Sequence, residues 1–421
     1  MKFYIFICFF VVSLSMSAQF DKNFENHSLR LDYIHSGNSI EEYYAFKQFK
    51  KEKYWGGSHT QMLETFEYGK YFVKVFDEKS GDLIYSRGYG SLFHEWSTTK
   101  EAKEFSKSFE ETALIPFPKN KVVIKLYSRN KSMNFEEKFK ISFDPAKTPY
   151  EYKNDNILPV FDIHKSGNPQ SKVDIVILPE GYTEMELGKF IEDCHMLTKQ
   201  FFAFAPYTQN EDKFNMKAVW IPSAESGSDS PNDSIEVTTA LNTSFNTLYS
   251  DRYCMTQDYH KVRDYAANAP YDQIYILINT DKYGGGAIYN YYSVSVSGNL
   301  KSPKVFIHEF GHAFAGLADE YGYEDSFENM YAKGVEPWEP NISTLVDFES
   351  KWKAMVDSKT PIPTPKNSDY SNKIGAFEGA GYVKKGVYRP RKDCMMRSFN
   401  GDVFCEVCSK AIVDMIKFYT E

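Results

Sequence analysis

The chain has 421 residues, with 57 Asp and Glu against 49 Lys and Arg and a formal net charge of -8. That length points to two domains, and that acidic balance argues against a nucleic-acid partner. Hydrophobic residues at 42%, charged residues at 25% and aromatic residues at 17% supply more than one core and exclude global disorder.

The chain opens on Met1-Lys2, an apolar run from Phe3 to Leu14, and Ser15-Met16-Ser17-Ala18. A positive start, a short apolar region and small residues at its end are the marks of a secretory signal peptide, expected over residues 1–18 with the mature protein starting near Gln19. About a dozen apolar residues fall short of the roughly 20 needed to cross a bilayer, and no later segment is long and apolar enough, so no membrane span is expected. Cys8 lies inside the apolar run and not at its end, which does not support a lipid-modified cysteine. Export would place the protein in a secreted, periplasmic or cell-surface setting.

From Gln19 to Asp144 the sequence is a series of short β-rich runs. Tyr71 to Phe76 and Leu83 to Tyr85 flank Asp77-Glu-Lys-Ser-Gly-Asp82 as a hairpin, and Lys121 to Tyr127 and Glu137 to Phe143 alternate in the same way. An antiparallel β-sandwich over residues 19–150 is the expectation. Its histidines, His27, His35, His59 and His94, show no ligand spacing and read as surface or core residues. Asp144 to Gly167, with Pro145, Pro149 and Pro159, reads as a linker with the boundary near 150 to 160.

Beyond it, buried strands alternate with helices: Val173 to Leu178 as a strand, Thr183 to Phe204 as a helix, then Lys213 to Ile221 and Tyr271 to Ile278 as strands. Gly284 to Ala287 leads into an alternating run to Val296, read as a Gly-rich turn and a strand of the kind that can pair with an extended peptide. Pro361, Pro363 and Pro365 mark a local loop.

The segment Val305-Phe-Ile-His308-Glu309-Phe-Gly-His312 carries the chemistry. Histidines four apart project from one face of a helix one turn apart, so both imidazoles can reach one Zn²⁺. Glu309 then faces the remaining coordination position, where it can take a proton from a metal-bound water and return it to a leaving amine. Catalytic zinc takes three protein ligands, and the candidates for the third are Asp319, Glu320, Glu324 and Asp325. A helix broken at Gly316 would turn the chain back toward the metal. In the extended zincin motif the third ligand stands ten residues after the first histidine, which here is Ala318. Asp319 is one residue displaced; it is the preferred candidate, with Glu320 its rival.

Asp393-Cys394-Met395-Met396-Arg397 resembles the methionine-containing turn beneath the metal in metzincins, with Met396 at the methionine position. Without the signal peptide five cysteines remain, Cys194, Cys254, Cys394, Cys405 and Cys408, an odd number, so at least one thiol stays free. Cys405-Glu-Val-Cys408 invites a redox or zinc reading, but no second pair at zinc-ribbon spacing accompanies it, and a bridge from Cys394 to Cys405 or Cys408 is the expectation. Asn242-Thr-Ser244 and Asn341-Ile-Ser343 match a glycosylation pattern.

Ile177-Leu-Pro-Glu-Gly-Tyr-Thr183, His308 to Tyr321, Gly375-Ala-Phe-Glu-Gly-Ala380 and Cys394-Met-Met-Arg397 together resemble the IgA-peptidase family of zinc metallopeptidases, over most of residues 160–421. The resemblance implies a two-domain α+β and α/β chain: a β-rich N-terminal domain, then a metzincin-like zinc peptidase domain with a mixed sheet and an active-site helix. It implies endopeptidase activity on a protein or glycoprotein substrate. His308, His312 and Asp319 would be the zinc ligands, Glu309 the general base and Met396 the structural methionine. Nothing in the sequence identifies immunoglobulin A as the substrate. The competing expectations are an exported protein- or glycan-binding module with a vestigial metal site, and an amidase or glycoprotein-specific peptidase whose N-terminal sandwich docks sugars.

Overall fold

After a helical stretch at residues 19–23, seven strands and a short helix open the computed structural model, which describes residues 19–152, 157–322, 331, 334–400 and 403–421. The expected signal peptide with Cys8, and the ligand candidates Glu324 and Asp325, lie outside the described residues. The opening elements are β1 (Phe24–Gly37), β2 (Glu42–Glu52), β3 (Tyr71–Asp77), β4 (Leu83–Tyr89), α1 (Leu92–Ser97), β5 (Lys107–Pro118), β6 (Val122–Arg129) and β7 (Phe135–Phe143). They make two antiparallel sheets, β2-β1-β5 and β4-β3-β6-β7. Leu29 and Leu31 of β1, Val73 and Val75 of β3, Ile115 of β5 and Ile124 and Leu126 of β6 turn inward to one shared core. The hairpin read from the sequence is β3–β4, and its turn is held by Asp77 Oδ1, which accepts from the N–H groups of Lys79 and Ser80. His35 is a core residue, wholly buried between Glu42 and Glu111.

The linker expectation is corrected at its end. Val160–His164 is a strand, β8, that pairs antiparallel with a later one; Pro159 precedes it at a position where no ladder N–H is required. There follow β9 (Val173–Glu180), α2 (Leu187–Phe201), β10 (Phe214–Val219), α3 (Tyr259–Ala266), β11 (Gln273–Ile278), β12 (Gly285–Ile288), β13 (Tyr292–Val296), α4 (Ser302–Ala315), β14 (Phe377–Ala380), β15 (Val383–Arg389) and α5 (Glu406–Thr420). Six of these strands form one mixed sheet in the order β12-β13-β11-β9-β10-β8, with the four inner strands parallel and both edges antiparallel. Central β9 is buried along its whole length: Ile175 and Ile177 enter the core that holds α4, while Val176 and Leu178 enter the core on the opposite face.

That opposite core also contains Leu92, Phe93 and Trp96 of α1 and Phe109 of β5, so the N-terminal sheets pack directly on the mixed sheet. Polar groups also fasten the N-terminal part to the rest of the chain. The buried Arg30 guanidinium binds Asp32 and Glu52 and reaches Asp264 of α3, and Arg87 donates to the Tyr419 hydroxyl of α5 at 2.7 Å. Among the described residues no helix is long and apolar enough to cross a membrane.

Candidate metal centre

Helix α4 starts with Pro303 in its first turn and ends at Gly316, whose φ of +63° is the left-handed stop that favours glycine. A side chain there would also meet the Trp338 ring at 2.8 Å. The turn sends the Leu317 carbonyl back over the last turn of the helix, where His312 Nδ1 donates to it at 2.6 Å. His308 Nδ1 donates to the Met395 carbonyl at 3.1 Å. A carbonyl only accepts, so both imidazoles are held with Nδ1–H outward and Nε2 facing inward.

The two Nε2 atoms stand 3.1 Å apart, and Asp319 Oδ1 lies 3.1 Å from that of His308 and 3.4 Å from that of His312. The two nitrogens and the carboxylate oxygen form a near-equilateral triangle. Nitrogen ligands at about 2.0 to 2.1 Å from a tetrahedral ion stand about 3.3 Å apart, so the triangle has the size of three corners of a zinc site. Asp319 is buried and its Oδ1 lacks a hydrogen bond of good geometry, as expected of a lone pair aimed at an ion and not at an N–H. Two imidazoles and one carboxylate are also a donor set that zinc accepts.

Burial pulls the His312 imidazole down, but the charge of Asp319 beside it prevails and holds it at about 9. Burial likewise pushes Asp319 up, and the imidazoles overcome it, holding the carboxyl well below its ordinary value.

Glu309, on the same helix, is half-buried, and burial raises its carboxyl above the ordinary range against the opposing charges of His308 and His312. It borders edge strand β12: a Cβ at Gly285 would lie 3.4 Å from Glu309 Cγ. The Gly-rich segment is therefore a short edge strand beside the helix. Its outward edge is occupied at Gly285, where the N–H donates to the Arg252 carbonyl and the carbonyl accepts from Cys254 N–H.

Met396 is fully buried, with its sulfur 3.0 Å from where a Cβ of Gly311 would stand, on α4 between the two histidines. The Met396 carbonyl accepts from Glu320 N–H at 2.8 Å, so the Met395–Met396 stretch braces both His308 and the strand of chain that follows Asp319. Tyr382 donates its hydroxyl to Asp319 Oδ2 and holds a φ of +65°, rare for a tyrosine. Arg389, which shares its stretch of sequence, points elsewhere: its terminal nitrogens donate to the carbonyls of Glu378, Gly379 and Lys392.

Glu320 does not join the histidines. Its Oε1 lies 3.1 Å from Cys408 Sγ and accepts from Asn341 Nδ2 at 3.1 Å. The expected disulfide is also corrected: the five described cysteines are free, and Cys394 Sγ and Cys408 Sγ stand 3.7 Å apart, the sulfurs being spread around the Glu320 carboxylate. The Asn341 glycosylation reading falls too, because that side chain is fully buried and tied to both Ala318 and Glu320.

One acidic group near the centre carries no sequence signal. Glu95 of α1, in the N-terminal part, accepts from the Tyr253 hydroxyl, and burial pushes its carboxyl up to about 7, with the charges of Glu309 and Asp319 acting in the same direction. It is one of 57 acids in the chain and sits more than 200 residues before the histidines, so only folding reveals it.

A family model described as IgA Peptidase M64 matches residues 161–370 and 366–416, and one described as Peptidase M64 N-terminus matches residues 19–140. Comparison with curated proteins gives no match.

Proposed function

Because the chain belongs to the IgA peptidase M64 family, a family of peptidases, we propose that it is an exported, zinc-dependent endopeptidase acting on proteins or glycoproteins. In this reading His308, His312 and Asp319 hold the zinc, Glu309 is the general base, and Met396 is the methionine that packs beneath the ligands in a metzincin-like domain. The observation that carries it is the triangle of two Nε2 atoms and one carboxylate oxygen, 3.1 to 3.4 Å on a side, with the two nitrogens on a helix that also presents Glu309.

Zinc at this position supplies a Lewis acid that polarises the scissile carbonyl and acidifies water. The remaining work belongs to the chain. Glu309 accepts the proton of the attacking water and returns it to the departing amine, and the burial that raises its carboxyl makes it the stronger base. The Nδ1 contacts to Leu317 and Met395 hold both imidazoles in the tautomer that leaves Nε2 free to bind. An extended substrate adds alongside β12 beyond Gly285, where Ala287 is the next residue on the outward edge. A binding module with a vestigial site has no use for a carboxylate at Glu309 beside the two histidines, which favours the enzyme. Export rests on the first 18 residues.

The test compares the intact chain with Glu309→Ala and Asp319→Ala for zinc content and for cleavage of a mixed peptide library. The proposal expects Glu309→Ala to keep the histidine-site zinc and lose cleavage, and Asp319→Ala to lose both. Cleavage that survives in Glu309→Ala would overturn it.

A further inference from the structure

Three thiols and a carboxylate meet outside the histidine centre. Glu320 follows α4, Cys394 precedes Met396 by two residues, and Cys405 and Cys408 bracket the start of α5. All four are buried, Glu320 and Cys408 completely, and their ligand atoms all lie within 4.8 Å of one another. The 3.7 Å between Cys394 Sγ and Cys408 Sγ is far beyond a disulfide bond of about 2.05 Å. It matches the spacing of about 3.8 Å between two thiolates that each stand about 2.3 Å from a tetrahedral zinc ion.

Main-chain N–H groups point at two of the sulfurs. Cys405 N–H donates to Cys394 Sγ at 3.2 Å, and Cys408 N–H donates to Cys405 Sγ at 3.5 Å, the latter at the N-terminus of a 15-residue helix. Asn341, held by the Ala318 backbone, orients the Glu320 carboxylate, the outer support that metal ligands usually have. A second observation is independent of the sulfurs: Glu320 Oε2 is fully buried and has no hydrogen-bond partner among the described residues. A carboxylate sealed in beside three sulfurs calls for a cation. A groove lined by Asp393, Cys394, Phe404 and Cys405 gives an ion a way in.

We propose that Glu320, Cys394, Cys405 and Cys408 form a second metal site, for a thiolate-seeking divalent ion of the zinc class. Thiolate donors select such an ion over magnesium or calcium. Four protein donors close the coordination sphere, so the site is structural. As the ion binds, the thiols release their protons to solvent and no sulfur is oxidised. The ion ties the residue after Asp319 and the turn that carries Met396 to the first turn of α5. The site uses none of the residues that would bind the first zinc, and it stands or falls separately from the peptidase reading.

The test loads Co²⁺ into the full chain after metal removal under reducing conditions. The intact protein should take up two ions per chain, and Asp319→Ala should retain one, with a sulfur-to-cobalt charge-transfer band in the near ultraviolet and visible bands of tetrahedral cobalt. Cys408→Ser in that background should abolish the sulfur band. In the unsubstituted protein, unfolded in chelator without oxygen, every cysteine should titrate as a free thiol. Cobalt without a sulfur band in the intact protein, or two thiols missing from the titration, would overturn the site. Loss of cleavage with the band intact would strike only the peptidase reading.

Discussion

Asp319 and Glu320 are consecutive, yet their carboxylates serve different clusters: Asp319 Oδ1 lies 3.1 Å from His308 Nε2, and Glu320 Oε1 lies 3.1 Å from Cys408 Sγ. Neighbouring residues in extended chain point to opposite sides, so the short stretch after α4 separates the two acids that the sequence alone leaves in competition. Asp319→Asn keeps the shape and removes the charge. Because losing even an outer-sphere partner commonly costs about 10- to 100-fold in metal affinity, the histidine site should weaken by more than that, as read by competition with a chelator.

Tyr382 donates to the other Asp319 oxygen. Tyr382→Phe removes that bond with little change in volume, and metal affinity at the histidine site should fall about 10- to 100-fold. Chelator competition that finds no change would show that the tyrosine does not set the carboxylate.

Met396 fills the space against Gly311 and is fully buried. Met396→Ala should cost about 2 to 5 kcal/mol in denaturant unfolding, whereas Met396→Leu, which nearly conserves volume, should cost less than about 1.5 kcal/mol.

Arg30 has its charge sealed between Asp32 and Glu52, with Asp264 of α3 as a third partner. Arg30→Met leaves buried carboxylates without their cation, and a loss of about 3 to 5 kcal/mol is expected from the denaturation midpoint. The loss should shrink when Asp32→Asn is added.

Asp174, buried at the start of β9, and Asp272, half-buried just before β11, form an acidic pair. Burial pushes Asp174 up to about 7 and, together with the Asp174 charge, raises Asp272 well above its ordinary value. The folded chain thus holds the proton more tightly than the unfolded chain, whose aspartates titrate near about 3.9. This stabilisation is complete below that pH and is lost as pH rises through about 7. Asp174→Asn should raise the melting temperature more at pH 8 than at pH 5, and an equal gain at both would refute the assignment.

What could be read in advance follows the range of the interactions. The spacing of His308, Glu309 and His312 is a local property of one helix, and the turn at Gly316 is marked by the glycine itself, so both were visible in the sequence. The hairpin of β3 and β4 was equally local. The division of Asp319 from Glu320 was not, since Cys408, which faces Glu320, is 88 residues away. Strand β8 was hidden among prolines because its pairing partner lies 52 to 59 residues downstream. The three sulfurs fit no ribbon spacing because they converge through the fold and with a carboxylate among them.

The seat of α1 also bears on how this molecule can be divided. Leu92, Phe93 and Trp96 sit in the same apolar core as Val176, Leu178 and Ile276 of the mixed sheet. A protease cut between residues 152 and 157 should therefore leave two pieces that still co-elute in native buffer. The second piece, transplanted alone onto another protein, would carry a raw apolar face and arrive without Glu95.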